Sequence, residues 1–310
     1  MCGLFGFSRY GNNNIKNLCD ITNALAIESS IRGTDATGIA YNFRGHINII
    51  KDSKPARKMD FKHNDNVTAL IGHTRHSTQG SEKKNCNNHP FYGKCKNTKF
   101  ALAHNGVLIN DIDLRYRYNL RKTKIETDSY IAVQLLEHKK ILDFDSIKFM
   151  AEAVEGSFSF SILDSENNIW LVKGDSPLHI LKFPKRQMYI YASTEEILWK
   201  SLIDTELFSD IKSGDIEPID INDGDILKIK PTGKLVRGKF NFNDYSHLKH
   251  CNWWDYGMHD TSEKSTYTDI YIEDLKAVAA YQGYSPEDID DMLSSGISSY
   301  EIEEYLYNAE

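Results

Sequence analysis

Apolar residues in the first 240 positions follow two spacings, which predict helices in some segments and strands in others. Residues 15–31 repeat apolar side chains at three- and four-residue steps, and so do residues 130–136, which predicts a helix in each place. Residues 195–202 predict a further short helix. Alternating or short apolar runs predict strands at 39–41, 46–51, 67–71, 100–103, 155–163, 169–172, 189–193 and 223–229.

The order of these elements indicates an α+β fold. Hairpins separated by helices are typical of two stacked antiparallel sheets with helices on the outside. The sequence therefore predicts a four-layer αββα sandwich.

Composition and charge exclude several classes of protein. The net charge is −7, which argues against a protein that binds nucleic acid through a broad basic surface. No run approaches the roughly 18 apolar residues of a membrane span, and the first residues do not resemble a secretory signal. Five scattered cysteines favour free thiols in a reducing compartment. We expect a cytoplasmic protein.

Cys2 is the strongest candidate nucleophile. Removal of Met1 would leave a thiol and a free α-amine on one residue, and the amine can accept the thiol proton directly or through water. An α-amine titrates near about 7.7–8, so part of it is free to act as a base at neutral pH. The alternative interpretation is a small apolar residue at a frayed chain end.

Four further segments carry candidate site groups, and three of them have a structural alternative. Arg75 offers a planar fork for a carboxylate. Asn105-Gly106 follows a buried strand and can supply two oxyanion donors, but Asn-Gly is also a common hairpin turn. Asp128 can bind a substrate ammonium or cap the next helix. Arg32 lies in a glycine-flanked loop with Asp35, where the alternative is a surface ion pair.

Taken together, these motifs resemble class II glutamine amidotransferases, the glutaminase domains of the N-terminal-nucleophile hydrolase superfamily. The likeness covers roughly residues 2–238 and is greatest to the glutaminase halves of glucosamine-6-phosphate synthase and amidophosphoribosyltransferase. It rests on six motifs in register: Cys2-Gly3-x-x-Gly6, Arg32-Gly33-x-Asp35-x-x-Gly38, Gly72-His73-Thr74-Arg75, Asn88-x-Pro90, His104-Asn105-Gly106 and Glu126-Thr127-Asp128.

The resemblance implies a role for each site residue. Cys2 would attack the side-chain amide of L-glutamine, and Asn105 with Gly106 would hold the oxyanion. Arg75 would bind the α-carboxylate and Asp128 the α-ammonium. The resemblance also implies glutamine contacts or support from three residues of the neighbouring loops: Arg32, His76 and Thr78. Relatives often carry Trp at the position of His76 and His at that of Gln79, so loop closure here is expected to differ.

The resemblance ends near residue 238, and the C-terminal part has a different sequence pattern. We predict a linker at 239–268 and a small acidic helical extension at 269–310, with helices at 270–282, 285–294 and 298–307. Ser285-Pro286 is a typical helix start. The extension either docks a partner protein or caps the main domain. His247, His250, Cys251 and His259 match no standard zinc spacing, and we expect neither a metal nor a cofactor.

The predicted function is a free-standing glutaminase that releases ammonia and glutamate. The acceptor of the ammonia would be bound by a separate protein, since the C-terminal part is too short for a synthase domain. Two alternatives remain: a non-catalytic glutamine-binding regulatory protein that keeps Met1, and an amide hydrolase of the same superfamily with a different substrate.

Overall fold

The computed structural model describes residues 2–11, 15, 17–96 and 98–242, and in the C-terminal part 272, 275–276, 279–280, 284–295, 297, 302 and 305–306. The chain divides into two compact units, one spanning Cys2–Tyr245 and the other holding the residues from Ser246 onward. The domain boundaries at 238 and 268 stay predictions.

Thirteen strands and six helices build the described part of the first unit. The strands are β1 Gly3–Arg9, β2 Ala36–Phe43, β3 His46–Asp52, β4 Ala69–Arg75, β5 Phe91–Lys94, β6 Lys99–Leu108, β7 Gly156–Asp164, β8 Ile169–Lys173, β9 His179–Phe183, β10 Met188–Ala192, β11 Glu217–Pro218, β12 Asp225–Ile229 and β13 Leu235–Lys239. The helices are α1 Leu18–Ser29, α2 Asp111–Arg117, α3 Tyr130–Lys139, α4 Phe144–Ala153, α5 Glu195–Leu202 and α6 Phe208–Lys212, with 3-10 turns at Ser30–Arg32, Ala56–Lys58 and Asn85–Asn87.

The strands form two antiparallel sheets. The first has the order β11-β9-β10-β1-β4-β2-β3, so the amino-terminal strand lies at its centre. The second has the order β13-β12-β8-β7-β6-β5. The helices pack on the outer faces, with α1 and α5 against the first sheet and α3 and α4 against the second. The predicted αββα sandwich of α+β class is confirmed.

Strand alternation explains how both faces of each sheet are buried. In β1, Phe5 and Phe7 point toward α1, whereas Leu4 points into the space between the sheets. In β6, Phe100 and Leu102 point toward the helices of the second sheet, and the small residues between them point inward. Successive side chains of a strand point to opposite faces of the sheet, so each sheet packs apolar residues both against its helices and against the other sheet.

The structure goes against two of the structural alternatives left open by the sequence. Asn105 and Gly106 lie inside β6 and pair with β7, so they do not form a hairpin turn. Asp128 does not cap α3, whose first flanking residue is Ser129. In both cases contacts with distant segments override a local preference.

The C-terminal unit contains helix α7, Pro286–Ser294, which begins as the sequence predicts. The Ser285 side chain accepts a hydrogen bond from the Asp288 amide, and the Asp288 carboxylate accepts one from the Ser285 amide. The described residues of the other two predicted helices are helical and bury Leu275, Ala279, Ile302 and Leu306 with Ile289. Residues 243–268 of the predicted linker, with its four candidate metal ligands, lie outside the described residues, whereas Lys239 ends β13 and Phe240 packs into the core of the first unit.

Candidate active site

Strand pairing brings Cys2 beside Arg75. Gly3, the first residue of β1, lies opposite Thr74 of β4, so Cys2 just before β1 meets the end of β4. The Arg32 Nε donates a hydrogen bond of 2.8 Å to the Cys2 carbonyl oxygen. The Cys2 thiol is half-buried and donates to the His76 carbonyl oxygen at 3.5 Å. The candidate nucleophile is therefore held on both its backbone and its side chain.

The surroundings of Cys2 keep its thiol protonated. Burial raises the pKa of the Cys2 thiol; the His76 hydrogen bond and Arg75 oppose that shift, and Asp128 adds to it. A thiol with a raised pKa carries little thiolate at neutral pH, so an attack by its sulfur requires a base close by.

Arg75 is buried at the end of β4, with its guanidinium fixed by the protein. Its Nη1 donates to Asn88 Oδ1 at 2.8 Å, and its Nη2 donates to the carbonyl oxygens of Gln79 and Gly80 at 2.8 and 2.7 Å. Desolvation lowers the pKa of Arg75, opposed chiefly by Cys2 and Asp35. These bonds use both Nη2 hydrogens and one Nη1 hydrogen, which leaves the Nε–H and the second Nη1–H without a bond to a described residue.

Asp128 is buried in the turn before α3, next to the end of β6 in the second sheet. Its Oδ2 accepts from the Leu108 amide at 2.6 Å, and its Oδ1 accepts from the Ser129 hydroxyl at 3.2 Å. Desolvation raises the pKa of Asp128, opposed by these hydrogen bonds and by Arg75. Because Arg75 and Asp128 act electrostatically on Cys2 and on each other, the three groups share one site.

Asn105 and Gly106 lie on β6, three residues before the amide that binds Asp128. Asn105 is 1% exposed, and its Nδ2 has no hydrogen-bond partner among the described residues. Buried polar groups are almost always paired, so an unpaired donor of this kind indicates a binding role. Gly106 has φ +134°, and a Cβ there would lie 2.0 Å from the Ser157 carbonyl oxygen, so no other residue fits.

The loop after β4 carries the remaining predicted contacts. The Ser77 amide donates to Asp35 Oδ2 at 2.7 Å, and the His76 Nδ1 lies 3.9 Å from the same oxygen. Thr78 is half-buried in this loop. Asp35 thus anchors the start of the loop, whereas Arg32 contacts the Cys2 backbone. The two charged residues of the glycine-flanked motif therefore bind different parts of the site.

Two residues that support Arg75 were given no role from the sequence. Asn88 accepts from Arg75, and the Lys51 Nζ donates to the carbonyl oxygens of Asn88 and, at 3.0 Å, Pro90. Burial lowers the pKa of Lys51 to about 8. The sequence showed only the Asn88-x-Pro90 motif. The hydrogen bonds from Lys51, on β3, to this segment form only in the folded chain, so local sequence did not predict them.

Three buried histidines lie behind the site. The ring centroids of His73 and His89 are 4.1 Å apart, and those of His89 and His104 are 6.5 Å apart. Desolvation holds the pKa of His73 and His89 well below the ordinary value and lowers that of His104 to about 3. The cluster is therefore neutral at physiological pH and adds no charge to the site.

The described residues contain no group of three or more His, Cys, Asp or Glu side chains arranged to hold a metal. Cys86 and Cys95 are free cysteines, one exposed and one buried. None of the helices in the described segments has the length and apolarity that crossing a membrane requires.

Comparison with known proteins identifies the domain. Residues 73–200 match the family model described as a glutamine amidotransferase domain. The chain is 31% identical over 189 residues to glutamine–fructose-6-phosphate aminotransferase (isomerizing) of Streptococcus agalactiae, covering 58% of this chain and 30% of that protein. It is 29% identical over 241 residues to amidophosphoribosyltransferase of Methanocaldococcus jannaschii, covering 74% of this chain and 49% of that protein. It thus spans less than half the length of these curated relatives.

Two solved structures share the fold of this chain. The glutamine phosphoribosylpyrophosphate amidotransferase of B. subtilis superposes with a TM-score of 0.58 at 22% identity, covering 78% of this chain and 50% of that one. A structure described as the allosteric regulatory enzyme of purine biosynthesis gives a TM-score of 0.59 at 20% identity, with the same coverage. The family model and the curated relatives agree with the resemblance seen in the sequence: residues 73–200 match a glutamine amidotransferase domain, and the chain is similar to class II glutamine amidotransferases.

Proposed function

We propose that this domain hydrolyses L-glutamine with Cys2 as nucleophile. The observation that carries the proposal is the shared site of Cys2, Arg75 and Asp128, in which a thiol lies within electrostatic reach of one buried cation and one buried anion. A free α-amino acid presents one carboxylate and one ammonium on the same carbon. A site with both counter-charges beside a nucleophile suits such a substrate.

Substrate binding follows from the unused capacity of the two charged side chains. The bonds to described residues leave the Nε–H and one Nη1–H of Arg75, which point to different sides of the guanidinium, so the α-carboxylate would accept from one of them and be held by the positive charge. The Asp128 carboxylate offers about four lone-pair sites and uses two on Leu108 and Ser129, so it can also accept from the α-ammonium. His76 and Thr78 lie in the loop beside Arg75, where they would contact the bound amino acid.

The first chemical step is the attack of the Cys2 sulfur on the amide carbon of the glutamine side chain. The α-amine of Cys2, exposed once Met1 is removed, takes the thiol proton as the S–C bond forms. The Asn105 Nδ2 and the Gly106 N–H donate to the oxyanion, and Arg32 holds the Cys2 backbone in place. The raised pKa of the thiol explains why a base on the same residue matters.

The second step divides the products. The amine returns the proton to the leaving nitrogen as the C–N bond breaks, which releases ammonia and leaves a glutamyl thioester. Water then attacks the thioester carbon, the S–C bond breaks, and glutamate leaves with the Cys2 thiol restored. We propose that the ammonia goes to an acceptor bound by a separate protein, which the C-terminal helices are suited to dock.

The test is glutamate release from glutamine by the wild type, Cys2→Ala and Arg75→Ala. We expect release by the wild type, none above background with Cys2→Ala, and a large rise in KM with Arg75→Ala. Arg75→Ala should still react with a thiol alkylating agent, because the nucleophile is intact. Glutamine binding without release would favour a regulatory protein. Hydrolysis of other amides with no effect of Arg75→Ala would favour a different amide hydrolase.

Intact-protein mass spectrometry tests the amino terminus. We expect protein made in cells to lack Met1, because a retained methionine would separate the α-amine from the thiol. Fully active protein that keeps Met1 would contradict the proposed base.

A further inference from the structure

The loop that follows Arg75 is fastened to the segment that precedes Asp128. Gln79 Nε2 donates to the Glu126 carbonyl oxygen at 3.0 Å. Asn87 Nδ2 donates to the Glu126 carboxylate at 2.9 Å, and the Glu126 amide donates back to Asn87 Oδ1 at 2.9 Å. Asn87 is fully buried, whereas the Glu126 side chain is 42% exposed, so the bonds between them are shielded from water on one side. We call the Asn87–Glu126 pair the clamp.

The clamp joins the two halves of the site. Gln79 and Gly80 hold the Arg75 guanidinium through their carbonyl oxygens, so the clamped loop also fixes the candidate carboxylate-binding group. Glu126 lies two residues before Asp128, the candidate ammonium-binding group. Arg75 comes from the first sheet, whereas Asp128 binds the end of β6 in the second. The clamp is a direct tie between the segments that carry them.

The packing around the clamp leaves little room for adjustment. Gly80 has φ +76°, and a Cβ there would lie 3.0 Å from the Glu126 Cβ and 3.1 Å from the Asn87 Nδ2. Asn87 Nδ2 also donates to the Ser81 carbonyl oxygen at 3.0 Å, which holds the loop in a closed turn. Asn87 Nδ2 therefore donates once to Glu126 in the clamp and once to Ser81 in the loop.

We propose that Asn87 and Glu126 are positioning residues that determine the specificity of the site for α-amino acids. They set the spacing between the Arg75 guanidinium and the Asp128 carboxylate, which must match two groups attached to one carbon. The inference rests on the proposed function, in which these two side chains hold glutamine. Loosening the clamp weakens the fit to both charged ends at once and leaves the nucleophile untouched.

The first test variant is Asn87→Asp, which keeps the shape of the side chain. One carboxylate oxygen still accepts from the Glu126 amide, but the other meets the Glu126 carboxylate, and two facing anions repel each other. We expect the KM for glutamine to rise about tenfold or more, as for loss of a buried hydrogen bond to a charged group, with kcat within about threefold. Discrimination against 4-carbamoylbutanoate, which lacks the α-ammonium, should fall.

The second variant, Asn87→Asp with Glu126→Gln, exchanges donor and acceptor. The new glutamine amide can donate to the new carboxylate, so KM should recover most of the way toward the wild-type value. The bond to the Ser81 carbonyl oxygen is not restored, so a residual rise is expected. Lys84→Met is the matched control: it removes an exposed ion pair with Glu126, and KM should change by less than about threefold.

A binding measurement separates this inference from the proposed function. Protection of Cys2 from iodoacetamide by glutamine reports binding without turnover. Protection without glutamate release would contradict the proposed function. The role of the clamp would then be tested by comparing glutamine protection of Cys2 in the wild type and the variants. The proposed role of the clamp is contradicted if Asn87→Asp binds glutamine like the wild type, or if glutamine gives the wild type no protection. It is also contradicted if Asn87→Asp lowers kcat, glutamine binding and melting temperature together and the double variant recovers none of them.

Discussion

Replacement of Asn105 by Leu separates catalysis from stability in one experiment. Leu has nearly the shape of Asn but no polar atoms. The Asn105 Nδ2 is buried and has no partner among the described residues, so the folded protein bears the cost of an unsatisfied donor. If that donor serves the oxyanion, its removal should lower activity and relieve this cost.

The expected changes in kcat and in stability both follow from the buried position of this amide. Loss of one oxyanion donor lowers kcat by about 10²–10³-fold. Removal of a buried unsatisfied polar group returns about 1–3 kcal/mol of stability. For a domain of this size, each kcal/mol corresponds to about 2–4 °C in melting temperature, so Asn105→Leu should melt at the same temperature as the wild type or several degrees higher.

The assay combines steady-state glutamate release with thermal unfolding followed by circular dichroism. Asn23→Leu is the matched control, since Asn23 exchanges hydrogen bonds of 3.2 and 2.9 Å with the Phe61 backbone. That control should lose about 1–2 kcal/mol of stability and keep its activity. The reasoning is refuted if Asn105→Leu keeps activity within about threefold, or if it melts earlier and loses activity only in proportion to unfolding.

Three further predictions concern the histidines, Gly106 and the pH profile. The pKa of each clustered histidine is lowered in the folded state, so the unfolded chain binds more protons below about pH 6.5 and the free energy of unfolding falls as pH falls. His89→Phe should reduce the fall in unfolding free energy between pH 6.5 and 5, measured by urea unfolding, by about 1.6 kcal/mol. An unchanged fall would contradict a neutral His89. Gly106→Ala should cost at least about 1–3 kcal/mol by chemical denaturation, because its Cβ meets the backbone at Ser157; wild-type stability would show that the strand pairing adapts. Since burial raises the pKa of the Cys2 thiol, kcat/KM should rise about tenfold per pH unit below the α-amine pKa of about 7.7–8, and a flat profile from pH 6 to 8 would exclude the amine as base.

Much of the architecture could be predicted from local pattern. Helix α5 has the predicted bounds, and α7 begins at the predicted Ser285-Pro286 signal, because capping and apolar periodicity are local properties. Short apolar runs at 67–71 and 100–103 indicated the strands β4 and β6. At Asn105-Gly106 the local sequence also allowed a turn, and it is the pairing of β6 with β7 that gives strand structure there.

The site was only partly predictable for the same reason. The motifs identified Cys2, Arg75 and Asp128 as candidates, and the fold brings these three together. The supports of Arg75 and the clamp were missed, because their partners lie far apart in the chain: Asn87 and Glu126 are 39 positions apart. Neither residue type carries a signal of its own, since buried asparagines and exposed glutamates occur in most folds.

The most direct test of the account is to find where a glutamine analogue that carries a diazoketone in place of the amide reacts with the protein. Peptide mass spectrometry should place the adduct on the Cys2 sulfur of a chain lacking Met1. Excess glutamine should prevent the labelling, and Arg75→Ala should slow it. An adduct on another residue, or labelling of Cys2 at the same rate in the presence of glutamine, would contradict a glutaminase that works through this thiol.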